Sequence, residues 1–337
     1  MATREMAPAA RLAALAISGG LALAGCGGDG TPSVPGARQI HLAHVLTDKH
    51  PVHRGMVRMA ALVEEKTGGK LILDIRHSAQ LGGEKELIEK VQAGSVEMTK
   101  VSSNALESNV ADLGILTLPF LFRGEDHYWK VLDGPIGQEL LDELQGAGLK
   151  GLTWYDAGAR SFYSRAPITG PQSLKGLKIR VQESQTMIET MRVLGALPQG
   201  IKFGPELTQQ LEKGERVTAA ENNPPSYWTE GHYKICPYYY LDEHSRPADV
   251  LVMNLKAWQS LSPEEQAALA EAAHESSRYQ RGFWAEECER LYGRLEAEGV
   301  KITRHVDPAP FMKAVQPVYD HLSPQRKVWV ERIRAVP

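Results

Sequence analysis

Val52, Met56, Met59 and Val63 recur at the three- and four-residue spacing of a helix with one buried face. Before them, residues 40–45 form a short apolar stretch that the Lys49-His50-Pro51 step closes, because a residue preceding proline is driven out of the helical region. After them, Gly68-Gly69 stops the helix, and Leu71, Leu73 and Ile75 alternate with polar residues as a strand with one covered face does. A helix over 83–92 burying Leu87, Ile88 and Val91 and a strand over 95–101 come next. The order strand, helix, strand, helix, strand predicts a parallel sheet covered by helices.

Pro119 breaks the apolar run from Leu116 to Phe122, which reads as a buried connection. Residues 125–144 read as one helix ending at Gly146. Strands over 149–155 and 160–164 follow, then a turn from Pro171, a strand over 177–181 and a helix over 185–194. A helix over 206–213 and a strand over 217–220 complete this series, and Glu221-Asn222-Asn223 reads as a turn stopped by Pro224 and Pro225. The second series lies between two parts of the first, so one lobe is inserted into the other. Ser262, Pro263 and Glu265 supply an N-cap, a first-turn proline and a capping-box acid for a helix running to Gly299. About 36 residues at 1.5 Å each make roughly 54 Å, longer than one lobe is wide, so this helix can brace both lobes. Residues 308–334 add terminal helices.

Composition narrows the function more than the fold. A chain of 337 residues is long for one core, and its formal charge of −3 offers no basic field for nucleic acid. Three cysteines are too few for a disulfide scaffold. Cys236 and Cys288 can pair after export or remain two separate thiols. At the N-terminus, Arg4 and Arg11 lead into an apolar run shorter than the roughly 20 residues of a membrane span, ending in Leu23-Ala-Gly-Cys26. This ending resembles a bacterial lipoprotein signal over 1–26, with lipidation at Cys26 and a periplasmic, membrane-anchored product. The glycine-rich residues 27–38 then read as a flexible tether.

No nucleophile elbow, phosphate loop or dinucleotide fingerprint is present, so neither an enzyme nor a cofactor is expected. His41, His44, His50 and His53 match no zinc spacing, and no metal is expected. The aromatic group Tyr227, Trp228, Tyr233 and Tyr238 to Tyr240 lacks basic interleaving and reads mainly as core. Arg160 and Arg180 each lie on or beside a short apolar strand, near the Asn222-Asn223 turn. A guanidinium stays protonated and matches a carboxylate bidentately, so this constellation points to an organic acid as ligand.

Several of these pieces together resemble a known family. Gln80-Leu-Gly-Gly-Glu84, Leu118-Pro-Phe-Leu-Phe122, Gly158-Ala-Arg160-Ser, Leu174-Lys-Gly-Leu-Lys-Ile-Arg180-Val, Leu194-Gly-Ala196, Ala220-Glu-Asn222 and Asp242-Glu-His244 occur in order. Over nearly all the chain after the tether, the sequence resembles substrate-binding proteins of tripartite ATP-independent periplasmic (TRAP) transporters, in their dicarboxylate-binding branch. The resemblance implies an α/β fold, a two-lobe periplasmic-binding-protein clamshell with a long helix spanning both lobes. Residues 39–156 with 247–337 would form lobe I, and 157–246 lobe II. It implies an Arg180–carboxylate salt bridge, ligand contacts from Asn222, and an Arg160 shared between ligand and a closure network with Glu221 and His244. Phe203 matches a pocket aromatic, and His44, Ser102, Gln80 and Glu84 fall where the other lobe reaches the ligand. Asn223, Gln182, Ser102 and His44 are candidates for substrate hydroxyls. The implied partners are a small organic acid and the two membrane subunits of a sodium-driven permease. The Asn-Asn-Pro-Pro segment is similar to branch members that handle sugar acids such as uronates or keto-sugar acids. Between Phe203 and Asn222 the chain departs from the family pattern, with two extra residues, Thr208 for the usual Tyr and Thr218 for the usual Asp. The rival functions are an exported lyase or hydrolase on such acids, with His44 or Tyr163 as base, and a sensor for a membrane kinase.

Overall fold

Two β-sheets form the cores of two lobes in the computed structural model, which describes residues 36–337. The first sheet has the order β2-β1-β3-β10-β4, from β1 (Arg38–Ala43), β2 (Leu71–Arg76), β3 (Met98–Ser102), β4 (Leu149–Tyr155) and β10 (Asp249–Asn254). The second has the order β11-β9-β5-β8-β6-β7. It comprises β5 (Arg160–Ser164), β6 (Lys178–Val181), β7 (Leu197–Gly200), β8 (Ala219–Asn222), β9 (Tyr238–Ser245) and β11 (Lys301–Thr303). The expected signal segment, Cys26 and most of the tether lie outside the described residues. The tether ends earlier than expected, since Arg38 already pairs with Leu71 in the sheet.

The first three strands pair in parallel, as the alternation of strands and helices predicts. The sheet as a whole is mixed, because β10 runs antiparallel to both β3 and β4. That strand returns from the second lobe, and it is the apolar run Val250-Leu-Val-Met253 that lets it lie buried in the sheet. The single helix expected over 125–144 is two, Glu125–Leu132 and Pro135–Glu143. Pro135 has no N–H to continue the first helix, and it opens the second from Gly134. The buried connection holds: Leu116, Leu118 and Leu121 are all buried.

The helix Pro263–Ala297 begins with the expected reciprocal cap between Ser262 and Glu265. Leu269, Ala272 and Ala273 join the larger core, which fills the first lobe and extends to Phe162, Ile179 and Ala219 of the second sheet, and Leu295 joins a second core with Tyr163, Tyr227 and Tyr239. The helix therefore belongs to both cores. Near its middle, Trp284 lies so close to Gly158 that a Cβ there would come within 2.8 Å of the indole. Gly158 also has φ +66, a backbone that side chains rarely adopt, so this first crossing between lobes needs glycine twice over. Beyond the helix, Lys301–Thr303 adds β11 to the edge of the second sheet.

Candidate functional site

Strands β6 and β8 of the second sheet run parallel, as do β1 and β3 of the first. Residues at and just beyond their carboxyl ends face one another across a cleft, which is where open α/β sheets hold ligands. A cavity of about 410 Å³ lies there, lined by Ser102, Arg160, Gln182, Phe203, Asn222 and Asn223 among others. A second of about 370 Å³ adjoins it and reaches Arg180. Glu84, Gln182, Phe203 and Val45 line both, so the two cavities form one continuous site.

In the second-sheet wall, β8 lies between β5 and β6, with Ser161 opposite Asn222 and Arg180 opposite Ala220. Arg160 is buried and nearly saturated. Its Nε bonds Glu221 Oε2, its Nη2 donates to Glu221 Oε1 at 2.9 Å and to the Glu221 carbonyl at 2.7 Å, and its Nη1 reaches Asn222 Oδ1 at 2.8 Å. Burial alone would lower the Arg160 pKa, but the Glu221 charge and hydrogen bonds raise it above the usual arginine range. Glu221 Oε2 lies 3.8 Å from His244 Nε2, and His244 Nδ1 lies 3.0 Å from Asp242 Oδ2. The His244 ring is stacked on Phe162, with centroids 4.2 Å apart. The structure thus brings Arg160, Glu221 and His244 together and adds Asp242 to the chain.

Arg180 is the opposite case. It is 1% exposed, its Nε donates to the Ile201 carbonyl at 2.8 Å, and its Nη1 is buried with no partner among the described residues. Burial lowers its pKa, and Glu221 pulls only partly against that. Leaving a guanidinium nitrogen unpaired away from water is costly, so a positioned anion is the natural complement.

The remaining candidates divide. Phe203 lines both cavities despite the altered segment that follows it. That segment folds as the helix Pro205–Lys213 and an exposed turn at Glu215 and Arg216, and Thr208 Oγ1 lies 3.2 Å from His232 Nε2. Asn222 uses its Oδ1 for Arg160 and for the Asn223 N–H, while its Nδ2 donates to no described residue. Asn223 lines the cavity, but both its side-chain polar atoms are engaged: Nδ2 donates to the Ala157 carbonyl and Oδ1 caps Ser226 N. It caps the helix Pro224–Thr229, so the two prolines open a helix where the sequence reading had them ending a turn. Most of the aromatic residues after it are core, with Tyr227 packed between Tyr163 and Tyr239, while Trp228 and Tyr238 are half-buried. Gln182 Oε1 accepts from Asn104 Nδ2 at 2.6 Å across the cleft.

From the first lobe, Glu84 and Ser102 reach the cavity, with the Ser102 N–H donating to Glu84 Oε1 at 2.9 Å. Burial raises the Glu84 pKa, partly offset by Lys100. Gln80 is exposed on the loop before the helix Glu84–Ala93 and lines neither cavity. His44 also lines neither: β1 stops at Ala43, and the ring is buried with Nε2 3.1 Å from His53 Nδ1. Burial, reinforced by Lys100, pushes its pKa down to about 2, so His44 is a neutral imidazole. His50 takes the position expected of His44. It caps the helix Pro51–Thr67 through Nδ1, and its Nε2 lies 3.3 Å from Ser226 Oγ of the other lobe. Its signal in the sequence was its place before Pro51, where an N-cap belongs. Lys100 and Asp249 line the cavity too, joined by a bond of 2.9 Å. Sequence reading missed them because β10 itself went unrecognised. Among the described residues, no group of His, Cys, Asp and Glu could hold a metal ion, and Cys236 and Cys288 are both free.

The model of bacterial extracellular solute-binding protein family 7 matches residues 42–325. A TRAP periplasmic solute-binding protein from Xanthobacter autotrophicus Py2, solved with bound β-D-galacturonate, has a TM-score of 0.85 and 37% identity. That likeness covers 89% of this chain and 100% of the other. The 2,3-diketo-L-gulonate-binding periplasmic protein of Escherichia coli is 31% identical over 83% of this chain and 85% of its own length. The C4-dicarboxylate-binding periplasmic protein of Rhodobacter capsulatus is 28% identical over 88% of this chain and 89% of its own.

Proposed function

Because the chain belongs to bacterial extracellular solute-binding protein family 7, the substrate-binding proteins of TRAP transporters, we propose that its ligand is a sugar acid. A uronate or keto-sugar acid is captured between the lobes through its carboxylate and handed, unchanged, to the permease subunits in the membrane. The observation that carries this reading is the buried Nη1 of Arg180, which has no partner among the described residues at a cavity shared by both lobes. A carboxylate there would receive charge-assisted bonds from Arg180, and Asn222 Nδ2 could add a further donor. Arg160, already bonded to Glu221, would link ligand and the Glu221–His244 pair, so that closure and binding reinforce each other. We further propose that Cys26 is lipidated and holds the protein at the membrane, since the sequence before it reads as a lipoprotein signal.

A thermal-shift screen tests the reading directly, because a ligand that binds only the native state raises the melting temperature with its occupancy. The panel holds galacturonate, glucuronate, aldonates, keto-sugar acids and C4-dicarboxylates. Stabilisation by at least one sugar acid at micromolar concentration is expected. Stabilisation by none of them, or turnover of any, would overturn the reading.

A further inference from the structure

Glu84, Lys100 and Asp249 come from three separate stretches and meet on the first-lobe side of the cavity. In the antiparallel pair of β3 and β10, Asp249 lies opposite Ser102 and Leu251 opposite Lys100. Lys100 and Asp249 are therefore diagonal neighbours on one face of the sheet, where long side chains reach each other. Lys100 is 1% exposed, and its Nζ donates to Asp249 Oδ2 at 2.9 Å and lies 4.0 Å from Glu84 Oε1. A buried lysine is rarely retained for stability, since a well-packed apolar pair is as good or better. Here the pair also leaves acceptors unused. Asp249 Oδ1 and Glu84 Oε2 receive no hydrogen bond from a described residue, and Lys100 has donors beyond the one it gives Asp249.

We propose that Glu84, Lys100 and Asp249 read the hydroxyl end of the ligand and select a polyhydroxy monocarboxylate against dicarboxylates. The inference rests on the sugar-acid reading above and names the residues that make it selective. A hydroxyl both donates and accepts, so neighbouring hydroxyls can give protons to the two carboxylates and take one from the ammonium. A second carboxylate can only accept. It would meet two carboxylates against a single ammonium and be repelled. The trio thus attracts one class and repels the other, and specificity of this kind needs both. Arg180 lies on the opposite wall and shares the second cavity with Glu84 alone of the trio, so Lys100 and Asp249 stand apart from the guanidinium and the two walls read different parts of the acid.

Calorimetry on the full-length protein with galacturonate, glucuronate, succinate and malate tests this, first for the wild type and then for two variants. Glu84→Gln keeps the acceptor for the Ser102 N–H but removes the charge. The paired Lys100→Met/Asp249→Asn change leaves neither charge buried alone. Each variant should weaken uronate binding by about ten- to a hundredfold, the worth of a charge-assisted bond, while dicarboxylate binding holds or improves. A uronate-to-dicarboxylate ratio unchanged in Glu84→Gln overturns the inference, whether or not the paired variant folds. Failure of the wild type to bind any sugar acid is a separate result and overturns the functional reading first.

Discussion

Arg160 and Arg180 stand on strands either side of β8, both buried, and differ in one respect. Arg160 is neutralised by Glu221 from within the protein, whereas Arg180 has a carbonyl at Nε and no partner at Nη1. Across the cleft, Lys100 stands between the two, bonded to Asp249 yet with donors left over for a ligand. A buried cation with its counterion built in serves the architecture around it. A buried cation without one is shaped for something the chain does not encode. The contrast is informative because all three residues are equally hidden, so burial alone does not distinguish scaffold from receptor.

Substitutions should separate the two arginines sharply. Removing the built-in counterion with Glu221→Ala leaves Arg160 buried and unpaired, which should cost about 3–5 kcal/mol of stability in urea unfolding. A loss below about 1 kcal/mol would mean that Arg160 and Glu221 are not a structural pair. Arg180→Ala should do the reverse: ligand affinity falls by about 2–5 kcal/mol while unliganded stability is kept or rises. Calorimetry and thermal melts on the same sample check both halves, and unchanged affinity would remove Arg180 from the site.

A smaller effect distinguishes the walls by pH. His44 and His50, in the first lobe, are held neutral by burial and by the nearby Lys100, and burial does the same to His232 in the second. Their folded pKa values are depressed, so their contribution is complete above the unfolded value near 6.5 and is lost as pH falls below it. Each should remove about 1 kcal/mol per pH unit below that point. The first lobe carries two such rings, so local protection factors, with the intrinsic slowing of exchange in acid taken out, should fall more around 44–53 than around Arg160 and Arg180 between pH 7.5 and pH 5. Equal protection in both regions at pH 5 and pH 7.5 would contradict this.

The second-sheet wall was legible in the sequence because its parts are local. Arg160 and Arg180 sit in short strands with recognisable flanks, and the Glu221-Asn222 pair is adjacent in the chain. The first-lobe wall was less so. Lys100 and Asp249 are 149 residues apart, and only the register of β3 against β10 makes them neighbours. The run Val250-Leu-Val-Met253 after Pro247 carried a strand signal that went unused, and with it went the mixed character of the sheet. His44 was misplaced for a related reason: the strand stops one residue before it, and the next turn of chain carries His50 to the cavity instead. Pro135 marked a helix break that the apolar spacing alone concealed.

The long helix has a consequence for how the protein comes apart. Leu269, Ala272 and Ala273 complete one core and Leu295 another, along a single run of hydrogen-bonded turns. Melting either lobe alone would strip half of that helix of its packing, and an isolated helical half is marginal in water. Loss of order in one lobe is therefore transmitted to the other through shared backbone. A single melting transition, reported alike from both lobes, is therefore the expected outcome.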